Sequence, residues 1–306
     1  MSAGTNSPFR VANSDTIRLN SSKSLAIREL IARFLYRGEL MDVLPDDSED
    51  VRVTHRCLSV VRNAKGLSAP VSVDAGDCGA ALRFLMALLA VTEGEWLVTG
   101  MLRLRQRPVI PLVTALRSIG AAVEPAPNGW HISGRPLHAE TLTVDCTLSS
   151  QFASALLLIG PKIGLRELKT IPAEPPSAPY INMTRRVLDG VLSGTPLRRE
   201  ADWSTAAFWY AFVRLSPEVH SLLLRDLHLN SIQGDFVISQ LFSKLGVFSK
   251  QKDEGVLIER KADLNDNFNF DFKLNFYPDL APVLAVTAVM LGVQCTLTGL
   301  ENLNLK

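Results

Sequence analysis

No C-x-x-C pair occurs in this sequence, and its four cysteines, Cys57, Cys78, Cys146 and Cys295, are widely scattered. Its five histidines form no H-E-x-x-H or similar metal pattern. These absences argue against a zinc site, and isolated thiols fit a reducing cytoplasm. An excess of one charge is also missing: 32 Lys and Arg stand against 31 Asp and Glu, a net of +1. That balance argues against a nucleic-acid coat or a polybasic membrane anchor. Long apolar runs are lacking. The richest, near 280–293, contains Pro282 and is shorter than the ~20 residues a bilayer crossing needs. The opening MSAGTNSPFRVANSDTIRL has no apolar core of a secretory signal. The expectation is a cytoplasmic protein with no metal, nucleic-acid or membrane partner.

What is present is a globular composition. Apolar residues make up 47% and charged residues 21%, so a sizeable core is expected. The 306 residues suggest about two domains.

One grammar recurs along the chain. A small polar cluster opens an apolar helix, a glycine closes it, and a β-rich run follows. SSKSLAIRELIARFLYRG is the first case, and DAGDCGAALRFLMALLAVTEG leading to EWLVTG the second. RPVIPLVTALRSIG leads to AAVEPA, and LSSQFASALLLIG follows the strand LTVDC. DWSTAAFWYAFVRLS, QGDFVISQLFSKLG with VFSK, and PDLAPVLAVTAVMLG with VQCTLTGLENL complete the set. These helices are apolar nearly all round, which predicts burial on every side. FNFDFKLNF at 268–276 alternates strictly and predicts a strand. IPAEPPSAP reads as a loop, SKQKDEG as a charged hairpin turn, and TPLRREAD as a linker, with a second crossing near 18–21. The class is α/β (α+β), built from internal repeats at irregular spacing.

A helix start carries free N–H groups and about half a positive charge, so it can hold an anion. Lys23, Arg28, Arg83, Arg103, Arg105 and Arg107 lie in or beside these openings. Arg103, Arg105 and Arg107 alternate as they would on a strand. Each feature also has an ordinary use: serine and aspartate cap helices, and alternating arginines are often only solvated. Gly76–Gly79 matches neither dinucleotide nor P-loop fingerprints. The residues alone give an α/β protein for an anionic ligand.

The order of the openings carries more. SSKSLAIRELIARFLYRGE, TGMLRLRQRPVIPLVTALRSIGA, TLSSQFASALLLIGP, SAPYINMT, NSIQGD, PDLAPVLAVTAV and GLENLNLK follow one another from about residue 15 to the last residue. This series resembles the 3-phosphoshikimate 1-carboxyvinyltransferase (EPSP synthase) family of enolpyruvyl transferases. The resemblance implies a two-domain fold of βαβαββ repeats with a cleft that closes on substrates. It implies one domain at 18–200 on the shikimate 3-phosphate side, and a second, incomplete one from 1–17 plus 201–306. It also implies a monomer that moves the enolpyruvyl group of phosphoenolpyruvate to the 5-hydroxyl of shikimate 3-phosphate. Phosphate leaves, and no cofactor is needed.

The resemblance carries roles over residue by residue. Lys23 meets both substrates and helps proton transfer, and Ser24 and Arg28 hold shikimate 3-phosphate. Gly79 stays in the phosphoenolpyruvate loop, and Arg103 is the clamp on that substrate. Ser149 and Ser150 hold the shikimate phosphate, Gln151 lies between the substrates, and Ser177 and Tyr180 complete the contacts. Asp279 accepts the 5-hydroxyl proton. Asn302 and Lys306 supply a further contact and the second lysine.

Three departures from the family pattern stand out. Asp77, Cys78 and Ala80 replace the usual small or hydroxyl residues, and Asp77 puts a negative charge near the phosphoenolpyruvate phosphate. The stretch VLDGVLSGTPLRREADWSTAAF is short, as if closing strands were missing. The chain stops at Lys306, where the family continues with further clamps, so it reads as C-terminally truncated. Two other readings stay open. One is a remnant that binds shikimate 3-phosphate without turnover. The other is the sister enzyme acting on UDP-N-acetylglucosamine, which the S-K-S, S-S-Q-F and S-x-P-Y segments match less well.

Overall fold

A short strand, β1 (Asp15–Ile17), precedes two helices, α1 (Lys23–Arg37) and α2 (Glu49–Asn63). This computed structural model describes residues 15–64, 70–261 and 269–301. Phe268, Asn302 and Lys306 lie outside them. Gly38 stops α1 in the left-handed conformation, φ 66°, which a residue with a Cβ adopts only at a cost.

A full βαβαββ unit follows. It runs β2 (Val71–Asp74), α3 (Gly79–Ala90), β3 (Gly94–Thr99), the single-turn α4 (Leu102–Arg105), α5 (Ile110–Ser118), β4 (Ala122–Ala126) and β5 (Gly129–Gly134). The sheet order is β2-β3-β5-β4, with β2 and β3 parallel and the hairpin antiparallel. A half unit comes next: β6 (Thr141–Asp145), α6 (Gln151–Ile163), β7 (Glu167–Ile171) and α7 (Ala178–Ser193), its two strands parallel.

The chain then returns to β1. α8 (Trp203–Leu215), β8 (Ser221–Arg225), α9 (Ile238–Lys244), β9 (Val247–Lys252) and β10 (Gly255–Arg260) build a sheet in the order β1-β8-β10-β9. This is the same unit, with β1 as its detached first strand, parallel to β8. A second half unit pairs β11 (Phe270–Lys273) with β12 (Cys295–Thr298) in parallel across α10 (Ala281–Leu291). Full and half units alternate, which explains the irregular spacing of the repeat.

Two apolar cores result. The first gathers residues from Leu25 to Val191, the second from Ala201 to Ala288 with Ile17 and Leu19 against it. Eleven of the twelve residues of α3 are buried, because this helix lies inside its lobe. The lobes join where two chain segments run side by side. Ser21 bridges to Ala201, the Ser22 N–H donates to the Glu200 carbonyl at 2.9 Å, and the Asp202 N–H donates to the Asn20 carbonyl at 3.0 Å. Arg199 fastens this crossing to Asp46 and Asp47 at 2.8 and 2.9 Å.

Four expectations are corrected. Arg103 and Arg105 lie on helix α4, and Arg107 just past it, because β3 has already ended and the Met101 N–H turns back to the Gly76 carbonyl at 2.7 Å. The LSSQFASALLLIG helix continues through Gly160 and Pro161 and stops at Gly164, which takes the left-handed cap at φ 77°. The FNFDFKLNF strand covers only 270–273, since its partner β12 ends at Thr298 and Phe276 falls in a turn. Finally, α8 and α10 are not buried all round: Phe208 is 62% exposed, Met290 66% and Val289 79%. The second core covers only their inner faces. As the short 187–208 stretch implied, residues 194–200 form no strand, and β6–β7 stays a two-stranded pair.

The contrast between α3 and α10 predicts two stabilities. Leu88→Ala, at a fully buried site, should cost about 2–5 kcal/mol. Val289→Ala should stay within about 0.5 kcal/mol. Urea unfolding of both variants measures the difference.

Candidate active site between the lobes

Six helical starts meet at one cavity of about 620 Å³. Lys23 and Ser24 open α1, Gly79 opens α3, Gln151 opens α6, and Ser177 caps α7. From the second lobe come Asp202 and Ser204 at the start of α8, and Pro278 and Asp279 in the turn before α10. Four N-terminal dipoles of the first lobe therefore face the same space.

The basic side chains of that lobe are held without counter-charges. Arg28 is 3% exposed, and its guanidinium donates to Thr184 Oγ1 (2.8 Å), the Ser24 carbonyl (2.8 Å) and Ser154 Oγ (3.4 Å). It also stacks on Phe84 and Tyr180 at 5.2 and 5.7 Å. Arg83 donates to the Pro108 carbonyl and, at 2.6 Å, to Gln151 Oε1. Among the described residues neither forms an ion pair, and neither does Arg107. Burial pulls both Arg28 and Arg83 down to about 10, and the Arg107 charge adds to the pull on Arg83. Both stay charged at neutral pH. A Cβ on Gly79 would lie 2.7 Å from the Arg107 guanidinium and 3.1 Å from that of Arg83, so glycine lets the two crowd the start of α3.

Ser149 and Ser150 divide their work. Ser149 Oγ accepts the Gln151 N–H at 3.2 Å, while the buried Ser150 makes no capping bond and lines the cavity. Ser177 is 9% exposed with φ 60°, a left-handed conformation rare for serine, and its N–H donates to the Asn275 carbonyl of the other lobe. Lys23 bonds Asp50 at 3.0 Å. Burial pulls the Lys23 ammonium down, but the Asp50 hydrogen bond and charge outweigh it, and the net position is above the ordinary lysine value.

The second-lobe wall is acidic. Asp202 and Asp279 line the cavity, and Asp235 lies behind them, 2% exposed. Ser204 and Tyr180 donate to Asp235 Oδ2 at 2.5 and 3.4 Å, while its Oδ1 is buried without a partner among the described residues. Burial, then the charges of Asp279 and Asp202, push the Asp235 carboxyl up to about 6 against the two hydrogen bonds. Burial and these same acids hold the Tyr180 hydroxyl well above its usual range.

The structure thus brings Lys23, Ser24, Arg28, Gly79, Ser149, Ser150, Gln151, Ser177, Tyr180 and Asp279 to one cavity. It does not bring Arg103, whose side chain is 74% exposed and 4.0 Å from Asp77. Arg107 lines the cavity instead, because α4 turns Arg103 outward. Asn302 and Lys306 lie outside the described residues. Sequence reasoning missed Asp50, Asp202, Ser204 and Asp235. The first two look like ordinary first-turn and capping acids, and Asp202 does cap Thr205 at 2.8 Å. No group of three or more His, Cys, Asp or Glu among the described residues could hold a metal ion.

The model of the EPSP synthase (3-phosphoshikimate 1-carboxyvinyltransferase) family matches residues 11–192 and 189–306. A 3-phosphoshikimate 1-carboxyvinyltransferase of Bacteroides fragilis (strain YCH46) is 33% identical over 315 residues, 95% of this chain and 74% of that protein. One from Methanopyrus kandleri is 33% identical over 310 residues, 87% of this chain and 70% of that protein. An EPSP synthase structure from Acinetobacter baumannii superposes with a TM-score of 0.54 at 15% identity, covering 96% of this chain and 93% of that one, a likeness of fold.

Two predictions follow from the electrostatics. Arg28→Met should leave stability unchanged or raise it, since an unpaired buried charge is replaced by an apolar chain. The same variant should lose the rise in melting temperature that phosphate gives the wild type, read by thermal denaturation with and without 10 mM-range (~10 mM) phosphate. For Asp235 the folded pKa of about 6 lies above the ordinary 3.8. Its contribution to stability is therefore full below about pH 4 and is lost as pH rises through about 6, on the order of 3 kcal/mol. Asp235→Asn should lack that loss, and urea titrations at acid and neutral pH compare the two.

Proposed function

The chain belongs to the EPSP synthase family, and from that premise we propose that it transfers the enolpyruvyl group of phosphoenolpyruvate to the 5-hydroxyl of shikimate 3-phosphate, releasing phosphate. The single observation that carries this reading is the charge of Arg28, Arg83 and Arg107, unpaired among the described residues, around one cavity lined by helix starts. Such a site binds two anions that repel each other in water.

In this reading Ser24, Arg28, Ser149, Ser150, Ser177 and Tyr180 hold shikimate 3-phosphate, the residue between the substrates is Gln151, and Arg83 and Arg107 hold phosphoenolpyruvate. Holding both together converts a two-body reaction into a one-body one. Asp279 takes the 5-hydroxyl proton as oxygen bonds to C2 of the enol. Lys23 gives a proton to the methylene carbon, which becomes a methyl group. Fixed positive groups stabilise the tetrahedral intermediate. Elimination then breaks the bond to phosphate, a methyl proton leaves, and the double bond re-forms. A first domain at 18–200 and a second from 1–17 plus 201–306 are supported at the 200/201 limit by the two cores, although Leu19 packs on the second, and four free thiols fit a cytoplasmic setting.

A second reading, anion binding without turnover, has one observation in its favour. The second-lobe residues lining the cavity, among those described, include acids and no cation.

A coupled phosphate-release assay with both substrates separates the readings. Turnover is expected, with Asp279→Asn lowering kcat by roughly 10²–10⁴-fold while calorimetry still detects shikimate 3-phosphate. Binding without any phosphate release would leave only the second reading.

A further inference from the structure

Asp77 is an acid lining an anion cavity, and it does no visible structural work there. It precedes the α3 cap, which Cys78 supplies by accepting the Ala81 N–H at 3.3 Å through sulfur. Among the described residues its one ion pair is with Arg103 Nε at 4.0 Å, a loose contact, and the two side chains are 41% and 74% exposed. Such a pair contributes little to stability. Yet Asp77 lines the same cavity as Gly79, Arg83 and Arg107, two residues before the start of α3. A carboxylate at that point opposes the dipole and guanidinium field that would hold a phosphate.

We propose that Asp77 is the residue that sets how weakly the Arg83–Arg107 corner holds phosphate, with Arg103 outside the cavity as its partial shield. This rests on the proposed function only for the identity of the phosphate ester. The charge argument needs nothing beyond the corner itself. Because a fixed carboxylate acts on bound reactant and departing phosphate alike, it alters affinity for both by a similar factor and leaves the chemical barrier alone. Weak retention of phosphate then favours its release.

The test uses the full chain and two probes, inorganic phosphate and phosphoenolpyruvate, by calorimetry at fixed ionic strength. Asp77→Asn keeps size and shape. It should tighten both ligands by a similar factor, roughly three- to tenfold. Arg103→Ala should weaken both in the wild type and change little in the Asp77→Asn background. In the turnover assay, Asp77→Asn should lower KM for phosphoenolpyruvate and make phosphate a stronger product inhibitor, with kcat not raised. Failure of the assay with intact phosphate binding would count against the proposed function and leave this inference standing. Unchanged or weaker phosphate binding by Asp77→Asn overturns it, whether or not the chain turns over. A gain confined to phosphoenolpyruvate also overturns it, because the charge would then act on another part of that molecule. Wild type that binds neither ligand, with Asp77→Asn that binds both, supports it; no binding by either overturns both ideas.

Discussion

Two buried guanidinium groups, without carboxylate partners among the described residues, are the constraint on which the rest of this molecule depends. A charge out of water is tolerable only when its hydrogens are satisfied and its field finds a complement. For Arg28 the hydrogens go to hydroxyls and a carbonyl, and aromatic faces cover the plane. For Arg83 they go to the Pro108 carbonyl and the Gln151 amide. Among the described residues no carboxylate pairs with either of them. Helix starts beside them add to the positive field instead of cancelling it. Such an arrangement makes sense as half of a contact whose other half is an anion.

Around this imbalance the two lobes are unequal. The first presents the cations, and the second presents Asp202 and Asp279 with Asp235 behind. Tyr180 and Ser177 belong to the first lobe but bond to groups of the second, Asp235 and Asn275. Ser177 does so from a left-handed backbone conformation, which costs of order 1–3 kcal/mol and needs firm surroundings. Strain and interlobe bonding thus fall together at the edge of the cavity. The paired crossings near residues 20 and 201 set how the lobes face each other.

Much of the fold was legible in the sequence because capping chemistry and glycine stops are local. The starts of α1, α3 and α6 sit within a residue or two of their polar openings. Legibility failed where a pattern fits two periods. Arg103, Arg105 and Arg107 alternate like a strand, yet Leu104 is buried in a single helical turn that sends Arg103 outward and leaves Arg107 to line the cavity. The outer faces of α8 and α10 were misjudged because an all-apolar helix does not reveal which sides meet protein. Within the site, residues on quoted motifs were found, whereas Asp50 and Asp202 were hidden by looking like helix-start acids. Asp235 was invisible for another reason. Its unusual protonation comes from burial and from the charges of Asp279 and Asp202, which are distant in sequence and outweigh the hydrogen bonds from Ser204 and Tyr180, and no local pattern records it.

The placement of β1 has a consequence for synthesis. Asp15 pairs with Leu222, so the first strand of the second lobe leaves the ribosome before the entire first lobe. At roughly 5–20 residues per second, its edge stays without a partner for about ten seconds or more. During that interval the first lobe, whose own contacts are contained between its crossings, can condense alone. The order of assembly is thereby written into connectivity: the inserted lobe matures early, and the surrounding one must wait for β8 before its sheet can register.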